Sequence, residues 1–573
     1  MVDRASGLEG SFPRQPFHAH LPTILLASCM FFTGAAGLVV EYILSTVSTY
    51  ILGNSIEQFV IIIALMLFMM GVAGSAQSLV GDRGLVEKFI LVEILLAWLG
   101  GFAPIAIYAA FGALLHHFQL IQYFFVISIG FLIGFEIPLV LRINQRYQQK
   151  LGANIASIYT LDYVGAFIGA VAFNFLLLRL FPLTEISFIV AGLNFLVATL
   201  AFAYFWRQGL ISHRWLVGAA IVVTVVALAY GYLNNRGWNQ SIEQRLYYAP
   251  IVFAKTTNYQ RLVLTYDNRR DEYRFFINGN LQFSSRDERI YHELLVHPAM
   301  ALVPDHSRVL ILGGGDGLAL REVLKYPDVE QVTLVELDPD VIDLFSTDPT
   351  LRELNDDAFA DARVRAWSSP AVEASRERTI LYQESREFDA AGQEVAEPIA
   401  SVDVYTVDAD RFIAEVGGAW NVILIDLPDP SSVELAKLYS KEFYLKLRPI
   451  LAESGMVALQ ATSPYHATET YLGIQRTMGA AGFRTLPYHD NVPSFGDWGW
   501  LLAWKNQTSE EAVRAVIGRL TAFDVETDYL TPDVFRRALV FGKNWLQSRH
   551  DDISTLMDPK VLYYYLDESW IAE

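Results

Sequence analysis

The chain has 573 residues, 53% hydrophobic and 18% charged, with a single cysteine; this is too apolar for one water-soluble domain or for a disordered chain. Residues 1–235 hold 10 basic and 10 acidic residues against 33 and 52 in the remainder, so the net charge of −19 lies wholly in the second half. That surplus disfavours nucleic acid, whose phosphates need Lys and Arg, and suits a small cationic ligand, while the lone Cys29 excludes disulfide frameworks, CxxC redox motifs and cysteine metal sites.

Residues 1–21 read as a tail. A membrane-crossing helix needs about 20 mostly apolar residues, because lipid offers its backbone no hydrogen-bond partner. Seven stretches meet that need, at 22–46, 57–80, 89–115, 119–141, 156–181, 184–206 and 214–234, so 22–234 is predicted to be an all-α multi-pass transmembrane bundle. The first is too long for the apolar part of a cleavable signal peptide, and more spans follow. Glycine pairs four apart, Gly130/Gly134 and Gly165/Gly169, fit close helix packing. Glu41, Glu93, Glu136, Asp162 and Arg179 stand inside the spans, where an ionisable group costs several kcal/mol unless paired or hydrated. They form either a polar pathway or structural ion pairs. With seven spans, Arg83/Lys88, Arg142/Arg146/Lys150 and Arg207/Arg214 share a side with the N-terminus, which by the positive-inside rule puts the second half outside the cell membrane. The chemistry of that half favours the cytoplasm.

Runs at 259–266, 273–277 and 281–283, with a turn at Asn278-Gly279-Asn280, predict a small antiparallel β domain that, with a helix over 287–302, fills 235–302. Over 303–508 strands at 308–312, 331–337, 404–408, 421–426 and 456–460 alternate with helices at 317–325, 339–345 and 440–451. Such alternation predicts a Rossmann-like α/β domain with a parallel sheet and ligands at the strand C-terminal ends. The polar stretch 366–402, containing Glu373, Arg376, Glu377 and Arg378, reads as an insertion: a lid, an oligomer contact or a solvated loop. Residues 509–573 read as a helical extension, with segments at 509–520 and 532–540 and the aromatic run Tyr563-Tyr564-Tyr565. No chemistry is evident there, and docking on the preceding domain or a homodimer interface is expected.

Gly313-Gly314-Gly315-Asp316-Gly317 follows the first strand of the α/β domain and opens a helix, so its bare backbone can approach a ligand. It departs from the dinucleotide fingerprint GxGxxG, because Leu318 stands where the last glycine would be sought. Glu336, 20 residues after Asp316 and at the end of the next strand, can accept both hydroxyls of a ribose, or else cap the helix after Pro339. Asp408 and Asp426 end further strands, so four strand tips carry Asp316, Glu336, Asp408 and Asp426. Clustered carboxylates repel and desolvate badly, which makes a cationic ligand a better reason for them than stability. For Asp410 and Asp429 individually, a surface turn-forming role is the alternative.

Asn278-Gly279-Asn280-Leu281-Gln282, Asp287-Glu288-Arg289-Ile290-Tyr291-His292-Glu293, Gly313–Gly317, Val335-Glu336-Leu337-Asp338, Asp408-Ala409, Asp426-Leu427-Pro428-Asp429-Pro430 and Leu438-Tyr439-Ser440-Lys441-Glu442-Phe443-Tyr444 occur in an order that resembles the spermidine synthases. These are polyamine aminopropyltransferases with a methyltransferase-like sheet, and the resemblance covers roughly 240–505. The whole chain is similar to the membrane-bound bacterial version. The resemblance implies that Gln260 and Glu336 hold the nucleoside and that Asp408 with Ala409 reads the adenine. Asp316 would bind the aminopropyl ammonium of decarboxylated S-adenosylmethionine, a co-substrate rather than a cofactor. Tyr291, His292 and Asp429 would position the acceptor amine, and Asp426 would be the general base. A carboxylate must accept a proton from the incoming ammonium before the free amine can attack the carbon beside the sulfonium; methylthioadenosine then leaves, and no metal is needed. Val433 and Phe495 depart from the pattern, standing where a proline beside the adenine and a tyrosine at the acceptor are usual. Two other readings stay open: transfer of a methyl or aminopropyl group to a membrane lipid, and a transporter or sensor whose second half only binds a polyamine, with Glu41, Glu136 and Asp162 as its pathway.

Overall fold

The computed structural model describes residues 21–52, 55–113, 118–148, 150–361, 363–367 and 401–568. They fall into two compact units, Met1–Tyr248 and Ala249–Glu573.

The first unit contains α1 (Leu21–Leu52), α2 (Ser55–Ala76), α3 (Leu85–Ala113), α4 (Phe118–Asn144), α5 (Leu151–Ala172), α6 (Leu183–Arg207) and α7 (Arg214–Glu243). Seven helical spans among the described residues are long and apolar enough to cross a membrane. A π-turn at Phe173–Leu177 prolongs α5. Glycines set the closest helix approaches: a Cβ at Gly165 would lie 1.9 Å from the Phe31 carbonyl oxygen of α1, and one at Gly134 would lie 2.6 Å from Met70 of α2. α7 runs past the predicted end at 234. Asn235, Ile242 and Glu243 continue its buried stripe, and Arg236 pairs with the buried Glu185 of α6 at 2.5 Å. The predicted β domain therefore starts its first strand at Ile251 rather than near 235.

In the second unit, β1 (Ile251–Thr256), β2 (Arg261–Asp267), β3 (Glu272–Ile277) and β4 (Asn280–Ser284) form an antiparallel sheet in that order. The strand predicted at 259–266 is β2, and β1 precedes it as a strand not predicted from the sequence. The Thr257 hydroxyl accepts the amide protons of Tyr259 and Gln260 at 3.0 Å each and closes the turn between β1 and β2. β1 is mostly exposed and so lacks the alternation that would reveal it. Asn278 and Gly279, both at positive φ, turn β3 into β4.

After α8 (Glu288–Leu302) comes an eight-stranded sheet of β5 (Arg308–Gly313), β6 (Gln331–Glu336), β7 (Val364–Trp367), β8 (Ser401–Thr406), β9 (Trp420–Asp426), β10 (Leu451–Gln460), β11 (Arg484–Val492) and β12 (Gly496–Trp504). Its order is β11-β12-β10-β9-β5-β6-β8-β7. The first six strands in chain order run parallel, as the helix alternation requires; β12 runs antiparallel to both β10 and its hairpin partner β11, a departure from the parallel sheet predicted. Both faces are covered. Val309, Ile311, Val422 and Leu424 pack under Leu294 and Leu295 of α8, while Leu310, Leu312, Ile423 and Ile425 pack under Phe443 and Leu447. Burial on both faces is why these strands read as unbroken apolar runs. Of the segment read as an insertion, 366–367 close β7 and 401–402 open β8; 368–400 lie outside the described residues.

Helices α9 (Leu318–Leu324), α10 (Pro339–Thr347), α11 (Ala409–Glu415), α12 (Lys441–Ile450) and α13 (Thr468–Ala480) connect the strands; α14 (Glu510–Arg519), α15 (Pro532–Ala538) and α16 (Lys560–Glu568) follow them. α16 docks on α13 of its own unit, burying Val561 and Leu562. The Glu568 carboxylate accepts the amide protons of Glu469 and Thr470 at 2.9 and 3.1 Å, satisfying free donors of the α13 N-terminus.

Candidate active site

The site lies at the C-terminal ends of the parallel strands. Gly313 has φ +87° and a Cβ there would meet the Asp426 carbonyl oxygen at 1.9 Å; a Cβ on Gly315 would meet Glu336 Cγ at 2.6 Å. The tips of β5, β6 and β9 thus approach one another more closely than side chains would permit. Glu336 accepts the Gly315 amide on one oxygen at 3.1 Å and those of Leu337 and Asp338 on the other at 2.8 and 3.0 Å. Capping of α10 falls instead to Asp338, which accepts the Asp340 amide at 3.1 Å. Burial pushes the Glu336 carboxyl up to about 7, against the pull of these amides. Gln260, in the β1–β2 turn, bonds through its side chain to Asp338. Asp408 caps α11 through the Asp410 amide at 2.8 Å and is ion-paired with Lys437; that pairing outweighs burial and holds its carboxyl below the usual range. Ala409 is buried beside it. Asp410 pairs with Lys446 at 2.6 Å and takes no part in the carboxylate cluster.

α8 contributes the opposite wall. The Tyr291 hydroxyl donates to Asp426 Oδ1 at 2.7 Å, and its ring stands edge-on to Phe495 at 6.0 Å. Next to it, His292 Nδ1 faces the Glu288 carboxylate at 3.1 Å and its Nε2 lies 3.9 Å from Asp426 Oδ2. Burial opposes a charged imidazole, but Glu288, with Asp316 and Asp426 beyond it, outweighs burial and raises His292 to about 9. The surrounding carboxylates thus favour the charged form of the ring. Glu288 is itself fixed by Arg321 at 2.8 Å. Asp316, pushed up chiefly by burial and also by Asp426, spends one oxygen on the Leu318 amide at 3.0 Å. Ligand atoms of His292, Asp316 and Asp426 lie within 4.8 Å of one another, close enough to hold a metal ion. A metal would have to displace the His292 proton.

Asp429 is no surface turn-former. Gln460 and Thr462, buried at the end of β10, donate to its two oxygens at 3.3 Å each, and the Tyr565 hydroxyl of α16 bonds to it as well. Burial lifts its carboxyl to about 6 against these donors. Gln460 is held in turn by the Tyr439 hydroxyl at 2.7 Å. Of the four strand-tip acids, Asp316 and Asp426 are thus brought together, with Glu336 on the glycine loop and Asp408 engaged by Lys437. Sequence reasoning missed Lys437, Gln460, Thr462 and Tyr565. Gln460 and Thr462 carried a weak signal, as polar residues ending an apolar strand; Tyr565 carried none.

The spermine/spermidine synthase domain family matches residues 288–378 and 393–514 of the chain. Polyamine aminopropyltransferase 2 of Ralstonia nicotianae is 35% identical over 552 residues, covering 95% of this chain and 98% of that protein. Polyamine aminopropyltransferase 1 of Streptomyces coelicolor is 35% identical over 565 residues, covering 97% and 96%. The crystal structure of spermidine synthase from Thermotoga maritima aligns with 52% of this chain and 87% of its own, at 21% identity and a TM-score of 0.38.

Proposed function

The chain belongs to the polyamine aminopropyltransferase family, and from that premise we propose that it moves the aminopropyl group of decarboxylated S-adenosylmethionine to putrescine or a closely related diamine, releasing methylthioadenosine. The observation that carries this reading is the convergence of Asp426, Asp316 and His292, with the Tyr291 hydroxyl fixing Asp426 at 2.7 Å. Glu336 and the glycine loop take the ribose, with Gln260 beside them, and Ala409 with Asp408 flanks the adenine. Asp316 receives the donor ammonium. The acceptor lies between Tyr291 and Asp429, and its attacking ammonium gives a proton to Asp426. The resulting lone pair forms the new carbon–nitrogen bond as the carbon–sulfur bond breaks, and the sulfonium leaves as a neutral thioether.

His292 changes one part of the expected roles. A protonated imidazole cannot accept from an ammonium, so it serves to balance the carboxylates rather than to bind the amine. Without it, the Asp316 and Asp426 carboxylates would repel each other in a buried site. The seven apolar helices support a multi-pass protein of the cell membrane carrying this enzyme.

Incubating the purified full chain with decarboxylated S-adenosylmethionine and putrescine should release methylthioadenosine. Asp426→Asn should lower the turnover by about 10²–10⁴-fold while donor binding persists, the range expected for loss of a positioned base. Absence of methylthioadenosine release with every diamine tried would refute the reading.

A further inference from the structure

Two buried carboxylates of the first unit have no place in the transfer reaction. Glu93 on α3 is 0% exposed and Glu136 on α4 is 3% exposed. The two lie close enough for each to act on the other, yet both Glu93 oxygens are buried without a hydrogen-bond partner, and Glu136 also faces the Thr33 hydroxyl of α1. Asp162 of α5 acts electrostatically on Glu136, and the Cys29 thiol of α1 lies within reach of both glutamates. No Lys, Arg or His among the described residues forms an ion pair with Glu93, Glu136 or Asp162. The structural ion pair considered from the sequence is therefore not what keeps these acids in the bundle. Two adjacent ionised carboxylates in hydrocarbon would each cost several kcal/mol. Positive charge has to enter from water.

A second observation shows where. Glu136 and Thr33 line a void together with Asn194 of α6, walled elsewhere by aliphatic side chains including Val40, Leu96 and Ile133. Its volume accommodates about one water molecule. Asn194 is 4% exposed and its Oδ1 receives no hydrogen bond. A buried amide oxygen without a donor costs about 1–3 kcal/mol, and here it lines the same void as a carboxylate and a hydroxyl. Every polar group at the void can offer oxygen, the donor type of hard cations rather than of transition metals. Calcium would need 6–8 oxygens, and magnesium keeps several waters that a one-water void does not admit. The methylene chain behind a polyamine ammonium has no room beside it either.

The geometry points to an intramembrane site for a sodium-sized monovalent cation, formed by Glu136, Asn194 and Thr33 and backed by Glu93. One proton on Glu93, together with one cation bound at Glu136, neutralises the two carboxylates. Protons compete with the cation for the same carboxylates, so occupancy rises with pH. The site is independent of the transferase chemistry and stands or falls separately from it.

The test is equilibrium binding of radioactive ²²Na⁺ to the purified full chain in phosphatidylcholine nanodiscs. Saturable binding is expected at alkaline pH, displaced by unlabelled NaCl but not by choline chloride or spermidine, and weakened as pH falls. Glu136→Gln should weaken it at least tenfold, and Asn194→Ala and Thr33→Val several-fold each, with gel-filtration profile and helicity checked for every variant. Thr33→Val keeps the shape of the side chain and decides the matter should Glu136→Gln fail to fold. Absence of saturable ²²Na⁺ binding, binding unchanged in folded variants, or proton uptake that ignores sodium would each overturn the proposal.

Discussion

At the scale of single residues, the charge state of His292 governs how the site responds to pH. Its pKa is raised from the ordinary 6.5 to about 9, so the folded state binds the proton more tightly than the unfolded chain does. The stabilisation is fully present below pH 6.5 and is lost as pH rises through about 9, and it amounts to on the order of 3 kcal/mol. A thermal-shift series on the full protein should show the second unit losing stability between these limits, and His292→Gln should flatten that slope. An unchanged slope would mean that the imidazole is neutral in the fold. Asp426 and Asp316 were legible in the sequence, since acids ending apolar strands have few structural excuses. The cation among them was not legible, because it depends on Glu288, one helical turn before His292, being free to turn inward, and on Arg321 fixing it from 33 residues away.

At the scale of elements, α16 reaches Asp429, where the acceptor is proposed to bind. Glu568 holds it on the α13 N-terminus, and Tyr565 extends from it to Asp429. Loss of the Tyr565 hydroxyl removes a donor to a buried carboxylate, a bond of the kind worth about 1.5–3 kcal/mol. Tyr565→Phe is therefore expected to raise the acceptor KM by about tenfold while the donor KM stays put. It should also move the acid limb of activity upward, since Asp429, already at about 6, loses one of the groups that favour its ionised form. Glu568→Ala should reproduce a weaker version of the same shift by loosening the helix; equal effects on both substrates would assign α16 a purely structural role. Helices such as α8 and strands such as β5 were legible from periodicity. The contribution of α16 was not, because it comes from a contact spanning more than 130 residues that leaves no local pattern. The same blindness hid β1, which packs too little to alternate, and the antiparallel hairpin of β11 and β12.

At the scale of the whole molecule, charge and hydropathy divide the chain into a nearly neutral apolar unit and an acidic α/β unit, and both divisions were visible in composition. The acidic excess of the second unit, 51 acidic against 31 basic residues over 249–573, raises the local concentration of a dication, an effect screened over about 8–10 Å at ordinary salt. The KM for putrescine should accordingly rise several-fold between low salt and about 0.5 M, far above the ionic strength at which such fields persist. Inhibition by neutral methylthioadenosine should barely change over the same range. Parallel salt responses for both ligands would remove steering from the account. The boundary between the units was misplaced from sequence because 235–243 looks polar enough for a loop, yet its stripe of Asn235, Ile242 and Glu243 keeps α7 wound.

The docking of Glu568 also has a practical corollary for anyone handling this protein. A purification handle or fluorescent fusion joined just beyond that residue would tug on the helix whose tyrosine braces the amine-side carboxylate. Reporters placed there would report on their own disturbance of substrate preference. Placement at the amino end, or in a solvent-facing turn of the α/β unit, would leave the readout faithful.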